Sequence, residues 1–323
     1  MMTCRIARAF AVAMVLLTAA SAAQATTVYV TTAAQNTVGG LSFGRGDVVA
    51  YDMDTDTATL AFSSYYFRNS NGRLNEVVDV IGVHAAGFGK VYLSMESGGY
   101  LGADGYRVHF RPGDIVLYDT LLDRAELYFV GREHFVNASG VPGVDENIDG
   151  FHIMSNGHLL LTTAAGARLL DVNGNPLFFT NADLIEYDIG AKQASLYLSD
   201  DVWRDKNGNT EEPENVDALG MLCDGETLLM STASASWLGD PLKSFSNGDI
   251  IAYDKANDTA WTFLSADVFF KHCSNDNIDG LSILYVSPPD NPEPIEEPVP
   301  EPVTMAGMLL GLAGLVGYVR RRR

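Results

Sequence analysis

One hydrophobic segment recurs four times along the chain, and this repetition constrains the fold more than any other feature. The copies lie 66 to 69 residues apart: GDVVAYD (46–52), GDIVLYD (113–119), ADLIEYD (182–188) and GDIIAYD (248–254). Each copy leads into a second β-like run, and helical periodicity is absent from the whole region. Self-similarity at a fixed interval is typical of repeat architectures. The sequence therefore predicts an all-β repeat fold.

Two further segments complete each unit. The third is of the EVVDVIGV type and occurs at 76–83, 146–153, 214–221 and 276–283. The fourth is of the KVYLSMES type and occurs at 90–97, 158–165 and 227–234. A repeated unit of four short antiparallel strands is typical of the blades of a propeller.

The last unit has no fourth strand, because residues 277–286 are followed at once by a proline-rich segment. A segment of the missing type opens the mature chain instead: TTVYVTTA (26–33) reads like HLLLTTAA (158–165). Complementary half-units at the two ends suit a ring that leaves no open strand edge. We therefore predict a four-bladed β-propeller over residues 26–286, in which the N-terminal strand completes the fourth blade.

The first 25 residues have the layout of a secretory signal peptide. Arg5 and Arg8 form a basic start, residues 9–20 are apolar, and AQA at 23–25 offers small residues for cleavage. We therefore expect the chain to be exported and residues 1–25 to be removed.

The C-terminal part divides into a linker and an apolar segment. Residues 287–302 contain seven of the twelve prolines among acidic residues, which predicts an extended linker of ~50 Å. Residues 303–319 are mostly apolar and just long enough to span a bilayer. Four arginines at 320–323 place the end of this segment in the cytoplasm by the positive-inside rule. Hydropathy alone is also compatible with a plain tail anchor.

The order of these C-terminal parts closely resembles the PEP-CTERM sorting signal of Gram-negative bacteria. The matching parts are Pro300, Glu301 and Pro302, the apolar helix within 303–323, and Arg320, Arg321, Arg322 and Arg323. The resemblance implies recognition by an exosortase, removal or exchange of the tail, and delivery to the cell surface or an exopolysaccharide matrix after a transient inner-membrane stage. The repeats also resemble those of bacterial surface proteins with a GD-hydrophobic-YD strand and an IDAL-like strand, a likeness that implies no biochemical activity.

Three sets of acidic residues recur in the repeats. The first set opens a strand and comprises Asp47, Asp114, Asp183 and Asp249. The second set ends that strand in Tyr51-Asp52, Tyr118-Asp119, Tyr187-Asp188 and Tyr253-Asp254. Aspartate commonly accepts hydrogen bonds from nearby backbone N–H groups, so both sets are predicted to fix turns.

The third set pairs an acid with an aspartate three residues later. Its members are Glu76 with Asp79, Glu146 with Asp149, Glu214 with Asp217, and Asp276 with Asp279. Equivalent positions in four blades would gather these carboxylates near one rim, where a hard cation with oxygen ligands would relieve their repulsion. The third set is therefore a candidate Ca²⁺ site, with turn formation as the alternative.

A separate loop offers a second candidate Ca²⁺ site. Oxygen-bearing side chains alternate along DKNGNTEEPEN at Asp205, Asn207, Asn209 and Glu211. The loop departs from the EF-hand pattern, because its glycine is fourth rather than sixth and no helices flank it. The alternative is a polar loop rich in turns.

No catalytic or cofactor-binding residue is predicted. GLSFG (40–44) matches the nucleophile-elbow pattern around Ser42, but that elbow needs a strand-to-helix turn in an α/β sheet. The six histidines have no zinc-type spacing, and His152 is predicted to be a packed histidine. Phe67, Phe135, Trp203 and Phe269 follow the second strand of each unit, and we expect them to fill the blade edges. Cys223 and Cys273 flank equivalent strands at opposite ends, so no disulfide is expected.

Charge and motifs together limit the function. The net charge is −20, and removal of the six arginines in the two terminal signals leaves −26. Such a surface does not suit nucleic acid or anionic lipid without bridging cations, so contact with a membrane is expected only through the C-terminal helix. The sequence favours a non-enzymatic surface or matrix protein that binds exopolysaccharide or surface proteins. The alternative is a polysaccharide-acting hydrolase or lyase.

Overall fold

The computed structural model describes residues 25–73, 78–210, 215–270 and 277–286. The segments predicted to be a signal peptide, a linker and a sorting helix lie outside these ranges, apart from Ala25. Within the described ranges, no helix is long and apolar enough to cross a membrane. The chain is all-β, as the repeats predict.

In the described ranges, four antiparallel sheets of four strands each form the framework, with smaller sheets of two or three strands beside them. The first sheet contains, from one edge to the other, β25 (Ile278–Val286), β1 (Ala25–Thr32), β4 (Val48–Asp52) and β5 (Thr57–Phe62). The second contains β7 (Val80–Gly87), β8 (Lys90–Met95), β11 (Ile115–Asp119) and β12 (Arg124–Phe129). The third contains β13 (Ile148–Ile153), β14 (Leu159–Thr163), β17 (Leu184–Asp188) and β18 (Gln193–Leu198). The fourth contains β19 (Val216–Met221), β20 (Thr227–Thr232), β23 (Ile250–Asp254) and β24 (Thr259–Leu264).

A short hairpin is inserted between the second and third strands of each sheet. These hairpins are β2 (Asn36–Val38) with β3 (Leu41–Phe43), β9 (Gly99–Leu101) with β10 (Val108–Phe110), β15 (Ala167–Leu170) with β16 (Pro176–Phe179), and β21 (Ser236–Leu238) with β22 (Lys243–Phe245). Strand β9 also pairs with β6 (Phe67–Arg68). A single helical turn follows the fourth strand of each sheet: 3₁₀ turns at Ser64–Tyr66, Gly131–Glu133 and Asp200–Val202, and helix α1 at Ala266–Phe269.

The sheets are offset by half a unit from the repeats of the sequence. Strand β1 pairs with β25 on one side, with Val28 opposite Ile283, and with β4 on the other, with Val28 opposite Tyr51. The N-terminal strand therefore pairs with the fourth copy of the repeat, as predicted, but its assignment to the blade of GDIIAYD is wrong. Each sheet joins the last two strands of one repeat to the first two strands of the next, and in the first sheet these come from the two ends of the chain.

The strands β7, β13, β19 and β25 pack against one another along one side of their sheets. A Cβ atom added at Gly82 would lie 3.0 Å from Phe151 of β13, and one at Gly150 would lie 3.0 Å from Leu219 of β19. A Cβ atom at Gly280 of β25 would lie 3.2 Å from the Cα atom of Gly82. Residues with little or no side chain therefore allow these inner strands to approach closely.

The core is divided into four clusters, each shared by two sheets. Val48 and Val116 share a cluster of the first and second sheets, and Ile115 and Ile185 share one of the second and third. The other two clusters join the third sheet to the fourth and the fourth to the first. The four aromatic residues expected at the blade edges are fully buried in these clusters, which confirms that prediction: Phe67, Phe135, Trp203 and Phe269.

Truncating the buried face of β1 tests the importance of the strand that joins the two ends of the chain. Val30 is fully buried between the first and fourth sheets, so Val30→Ala should lower the free energy of unfolding by about 2 kcal/mol. Leu60→Ala on the outer strand β5 is the control, because Leu60 is half exposed and its loss should cost under about 0.5 kcal/mol. Urea denaturation measures both, and equal losses would contradict this role for β1.

Candidate functional site

The first set of repeated aspartates links backbone segments. Each carboxylate accepts one hydrogen bond from the N–H group three residues earlier and one from the N–H group 17 residues later. For Asp114, the donors are Arg111 and Gly131, both at 2.9 Å. These bonds hold the start of the third strand against the helical turn after the fourth strand. The prediction that this set fixes turns is confirmed.

The Tyr-Asp pairs have the same kind of role. The aspartate carboxylate accepts hydrogen bonds from the turn that follows it, as Asp119 does from Leu121 and Leu122. The tyrosine hydroxyl donates to an aspartate five residues later in three sheets, at 2.8 to 3.0 Å. In the third sheet Lys192 occupies that position, and the Tyr187 hydroxyl contacts Nδ1 of His134 at 2.7 Å instead.

The aspartates of the third set converge on one cavity. Asp149, Asp217 and Asp279 are the second residues of the inner strands β13, β19 and β25, and Asp79 immediately precedes β7. They share a cavity of about 440 Å³. Its lining is strongly polar and comprises Ala33, Arg45, Asp79, Ile81, Glu96, Asp149, Asn215, Asp217, Asn277 and Asp279. We call this cavity the acidic pocket.

Asp79 is not structurally equivalent to the other three aspartates. The N–H group of Glu96 donates to the carbonyl of Asp79, just as Ala233 donates to Asn215 and Ala33 donates to Asn277. Asp79 therefore occupies the position of an asparagine, and Ile81 occupies the position of the aspartate. The predicted fourfold equivalence is wrong because the first repeat is shifted by two residues relative to the strand register.

A chain of hydrogen bonds separates the three equivalent carboxylates. The Asn215 amide group donates to Asp149 at 3.2 Å and also to Asp217. The Asn277 amide group donates to Asp217 and, at 2.9 Å, to Asp279. Each NH₂ group thus lies between two carboxylates of neighbouring inner strands. This arrangement offsets part of their mutual repulsion.

The chain of amides ends at Asp79. A third asparagine here would continue the chain beyond Asp279, but the residue is a carboxylate. Nε of Arg45 lies 2.6 Å from Oδ1 of Asp79 and offsets part of its charge, whereas Glu96 adds a further carboxyl group within hydrogen-bonding reach of Asp79. The pocket therefore contains five carboxyl groups and one arginine.

Burial and crowding disfavour the ionised forms of these acids. Burial, with added repulsion from Asp217, Asp149 and Asp79, raises the pKa of Asp279 to about 8. Burial also raises the pKa of Asp149 to about 7, although the hydrogen bond from Asn215 opposes the rise. The pKa of Asp79 is raised by burial and opposed by Arg45. Asp279 and Asp149 are thus partly protonated near neutral pH.

Of the four acids expected to pair with these aspartates, only Glu146 lies within the described residues. Glu146 lies outside the lining of the pocket, and its backbone carbonyl instead lies beside Gly113. Glu76, Glu214 and Asp276 lie outside the described residues, as does Glu211 of the second candidate site. In the described part of the chain, no three His, Cys, Asp or Glu side chains form a ready-made metal site.

The loop that begins at Asp205 has the geometry of a turn. The Asp205 carboxylate accepts hydrogen bonds from the backbone N–H groups and from the side-chain amides of Asn207 and Asn209. These bonds, led by those from Asn209, lower the pKa of Asp205 to about 2. Because both asparagines direct N–H groups rather than oxygens at the carboxylate, this geometry favours the turn alternative.

Sequence reasoning missed four polar residues of the pocket: Arg45, Glu96, Asn215 and Asn277. A signal for Glu96 was present, because its position in the other repeats is occupied by alanine, at Ala33, Ala164 and Ala233. The asparagines directly precede the strands at N-x-D, and their importance depends on which carboxylates lie on the neighbouring strand. That information is tertiary.

No nucleophile and base are brought together in the described residues that line this pocket. Ser42 lies on β3 and shares a hydrogen bond with Thr37, which supports its dismissal as a nucleophile. His158 lies in a smaller cavity with Nδ1 2.7 Å from Glu186 and Nε2 3.4 Å from Asp188, so both ring nitrogens face carboxylates. His152 packs against His84 with ring centroids 4.9 Å apart, as expected of a packed histidine. Cys223 is exposed and free, and Cys273 lies outside the described residues.

Comparisons with known proteins show no family for this chain. No family model and no curated protein matches the chain. A protein of unknown function from Bacteroides caccae has 8% identity and a TM-score of 0.36, with 80% of this chain and 99% of that chain covered. The extracellular domain of a putative one component system from B. thetaiotaomicron has 9% identity and a TM-score of 0.33, with coverage of 81% and 36%. The β-propeller domain of Cps50 (Swd1) from Myceliophteria thermophila has 11% identity and a TM-score of 0.32, with coverage of 68% and 80%. All three scores are below 0.5, too low to bear on function.

The raised pKa values predict that stability falls as pH rises. An unfolded aspartate titrates near ~3.9, so between pH 4 and 8 the folded protein retains protons on Asp149 and Asp279 that the unfolded chain has lost. The stability that these protons contribute is fully present below this pH range, and it is lost as the pH rises through the pKa values of the folded state. We expect the free energy of unfolding in a chelator to fall between pH 5 and pH 8.5, and Asp279→Asn to flatten that slope.

Urea denaturation at several pH values measures this dependence. Asp54→Asn on an exposed turn is the matched control, because it removes one carboxylate without affecting the pocket. A slope for Asp279→Asn identical to that of the unmodified protein would contradict the assignment of the pH dependence to the acidic pocket.

Proposed function

We propose that residues 26–286 form a closed four-bladed β-propeller. Two features support the proposal: the pairing of β1 with β25 joins the two ends of the chain in one sheet, and every sheet shares core residues with two others. A closed ring also explains why the inner strands of the four sheets, which come from different repeats, pack closely against one another at glycine residues. The scaffold is rigid and presents its acidic pocket at the rim where the inner strands begin.

The proposed function is that of an exported, non-enzymatic module of the cell surface or of an exopolysaccharide matrix, whose acidic pocket binds Ca²⁺. The observation that carries the calcium proposal is Asp79, a carboxylate in the position where other inner strands supply an amide donor. The pocket consequently has an excess of negative charge beside Asp279, which the N–H groups of Arg45 and Asn277 offset only in part. A divalent cation there would replace the protons that Asp279 and Asp149 otherwise retain.

The geometry favours a partly hydrated ion. The cavity of about 440 Å³ is much larger than a bare cation, and no three acidic or histidine ligands in the described residues are ready to enclose one. Ca²⁺ accepts carboxylate, amide and water oxygens in flexible geometry, and the Oδ1 atoms of Asn215 and Asn277 are buried without a hydrogen-bond partner. Weak binding of about 10⁻⁴–10⁻³ M is typical of extracellular modules. In an anionic matrix, the ion would link the protein to the polysaccharide.

Replacement of Asp79 by asparagine is the decisive variant. Asp79→Asn supplies the amide found in the equivalent position of other sheets, so we expect it to abolish calcium binding and to raise the melting temperature in a chelator. In the unmodified protein, calorimetry should detect binding with release of protons, and calcium should raise the melting temperature by mass action.

Two variants locate the ion. Asp205→Asn should leave the calcium heat unchanged if the pocket is the site, and should remove it if the loop is the site. Asp54→Asn reports any effect of surface charge alone. Absence of calcium heat in the unmodified protein would leave the pocket carboxylates as a structural feature of the inner strands.

The proposed localisation at the cell surface rests on the two termini of the sequence. Because residues 300–323 resemble a sorting signal, we expect a host with an exosortase to deliver a protein that lacks residues 303–323. Mass spectrometry of surface-exposed protein tests this, with Arg320 to Arg323 replaced by serine as the control that should block processing. An intact Arg323 terminus on surface-exposed protein would contradict the sorting proposal.

A polysaccharide hydrolase or lyase is the second candidate function. Its support is the group of carboxyl groups with raised pKa values, because a protonated acid beside an ionised one is the arrangement of a general acid and base. Against it, the described lining contains no aromatic side chain on which a sugar ring could stack. Release of reducing ends from the producer's own exopolysaccharide, lost in Glu96→Gln, would favour this candidate over the non-enzymatic one.

A further inference from the structure

Three large apolar side chains are exposed together on the second sheet. Phe88, in the turn between β7 and β8, is 94% exposed, and Leu121 and Leu122, in the turn between β11 and β12, are 77% and 68% exposed. The two turns are joined, because the N–H and hydroxyl groups of Thr120 both donate to the carbonyl of Gly89 at 2.8 Å. A Cβ atom at Gly89 would lie 2.9 Å from Cγ of Leu121. We call Phe88, Leu121 and Leu122 the apolar tip.

The fold does not require apolar residues at these positions. The turns equivalent to that of Leu121 and Leu122 carry Asp54-Thr55, Gly190-Ala191 and Ala256-Asn257, and the turn equivalent to that of Phe88 carries Asn156-Gly157 in the third sheet. Phe88 also has a φ of 51°, a conformation that favours glycine or asparagine. A bulky residue held there in solvent therefore has no stabilising role in the folded chain, and a contact outside the chain explains it.

The chain leaves the described domain at the same rim. Strands β25 and β7 run in the same direction, because Gly280 lies beside Gly82 and the Ala85 N–H group donates to the Ser282 hydroxyl at 3.0 Å. Val286, the last residue of β25, therefore ends at the rim where β7 ends and Phe88 begins. The predicted linker and apolar segment 303–319 follow from this point. The acidic pocket lies at the opposite rim, where the inner strands start.

The charge around the apolar tip is balanced, unlike the charge of the whole protein. Lys90 and Arg124 flank the tip together with Asp119 and Glu126. Arg124 pairs with Glu126 at 2.7 Å. In a full chain of net charge −20, this is a surface that can approach a bilayer without strong repulsion from anionic headgroups.

We propose that the apolar tip inserts into the lipid surface of the membrane that holds the C-terminal helix. The proposal rests on the proposed sorting signal, in which residues 303–319 span the membrane before the tail is removed. Phenylalanine and leucine at turn tips suit the boundary between headgroups and acyl chains. The linker limits how far the domain can move from its anchor, which gives the tip a high effective concentration at the bilayer. With the tip in the bilayer, the acidic pocket at the opposite rim would be directed away from the lipid.

Quenching by brominated lipid tests the contact in the full chain, reconstituted in phosphatidylcholine vesicles. Phe88→Trp places a fluorophore at the tip, and Asn156→Trp is the matched control at the corresponding turn of the third sheet. After subtraction of the signal of the unmodified protein, emission from Phe88→Trp should fall at least twofold in brominated vesicles, and emission from Asn156→Trp should not change. Adding Leu121→Ser and Leu122→Ser should reverse most of the quenching, since each lost side chain lowers partitioning about tenfold.

Flotation with the vesicles separates the two proposals. Protein that fails to float overturns the insertion of the C-terminal helix, and with it the placement of the tip. Protein that floats without quenching of Phe88→Trp, or with equal quenching of both variants, overturns the contact of the tip alone. A doubled mass by light scattering, with Phe88→Trp emission shifted to the blue but not quenched, assigns the tip to a second copy of this chain and likewise overturns the lipid contact.

Discussion

Close packing of the inner strands is the constraint on which the rest of the structure depends. Gly82, Gly150 and Gly280 have no side chain, and Ala218 has a small one, where the strands β7, β13, β25 and β19 meet. This close contact between the strands also brings together the residues that directly precede these small residues. Three of those residues are aspartates, so the packing that builds the core also gathers buried charge. The amides of Asn215 and Asn277 offset that charge, and their own position depends on the same packing.

Departures from the fourfold pattern are concentrated in the second sheet. This sheet carries Ile81 in place of the repeated aspartate, Asp79 in place of an amide, and Glu96 in place of alanine. It also carries the apolar tip at its other end. The other three sheets show what the scaffold needs for stability, because they satisfy the same turns with small or polar residues. The proposed calcium site and the proposed lipid contact both lie where this sheet differs from that common plan.

The positions of the turn-forming aspartates depend on local chain geometry, whereas the positions of the acidic-pocket residues depend on strand pairing. Aspartates such as Asp47 and Asp114 accept backbone hydrogen bonds within one sheet, so their role depends on local chain geometry and was predictable. Asp79 was aligned with Asp149 from the shared acid three residues earlier, and the alignment is wrong because strand register is set by pairing with β8 rather than by spacing along the chain. Glu146 was expected beside Asp149 and instead lies outside the pocket, because it precedes β13 in a segment whose backbone packs against Gly113.

The amino-acid sequence by itself determined the all-β class, the four units, the pairing of the N-terminal strand with the last repeat and the burial of Phe67, Phe135, Trp203 and Phe269. These features depend on alternation and repetition, which are written in the order of residues. Only the tertiary structure decided that each sheet combines two repeats and that Arg45 and Glu96 flank Asp79. It also decided which carboxylates share an amide, because hydrogen bonds between neighbouring inner strands join residues about 60 positions apart, as Asn277 and Asp217 are joined. Such contacts depend on the register and packing of whole strands, which no local pattern specifies.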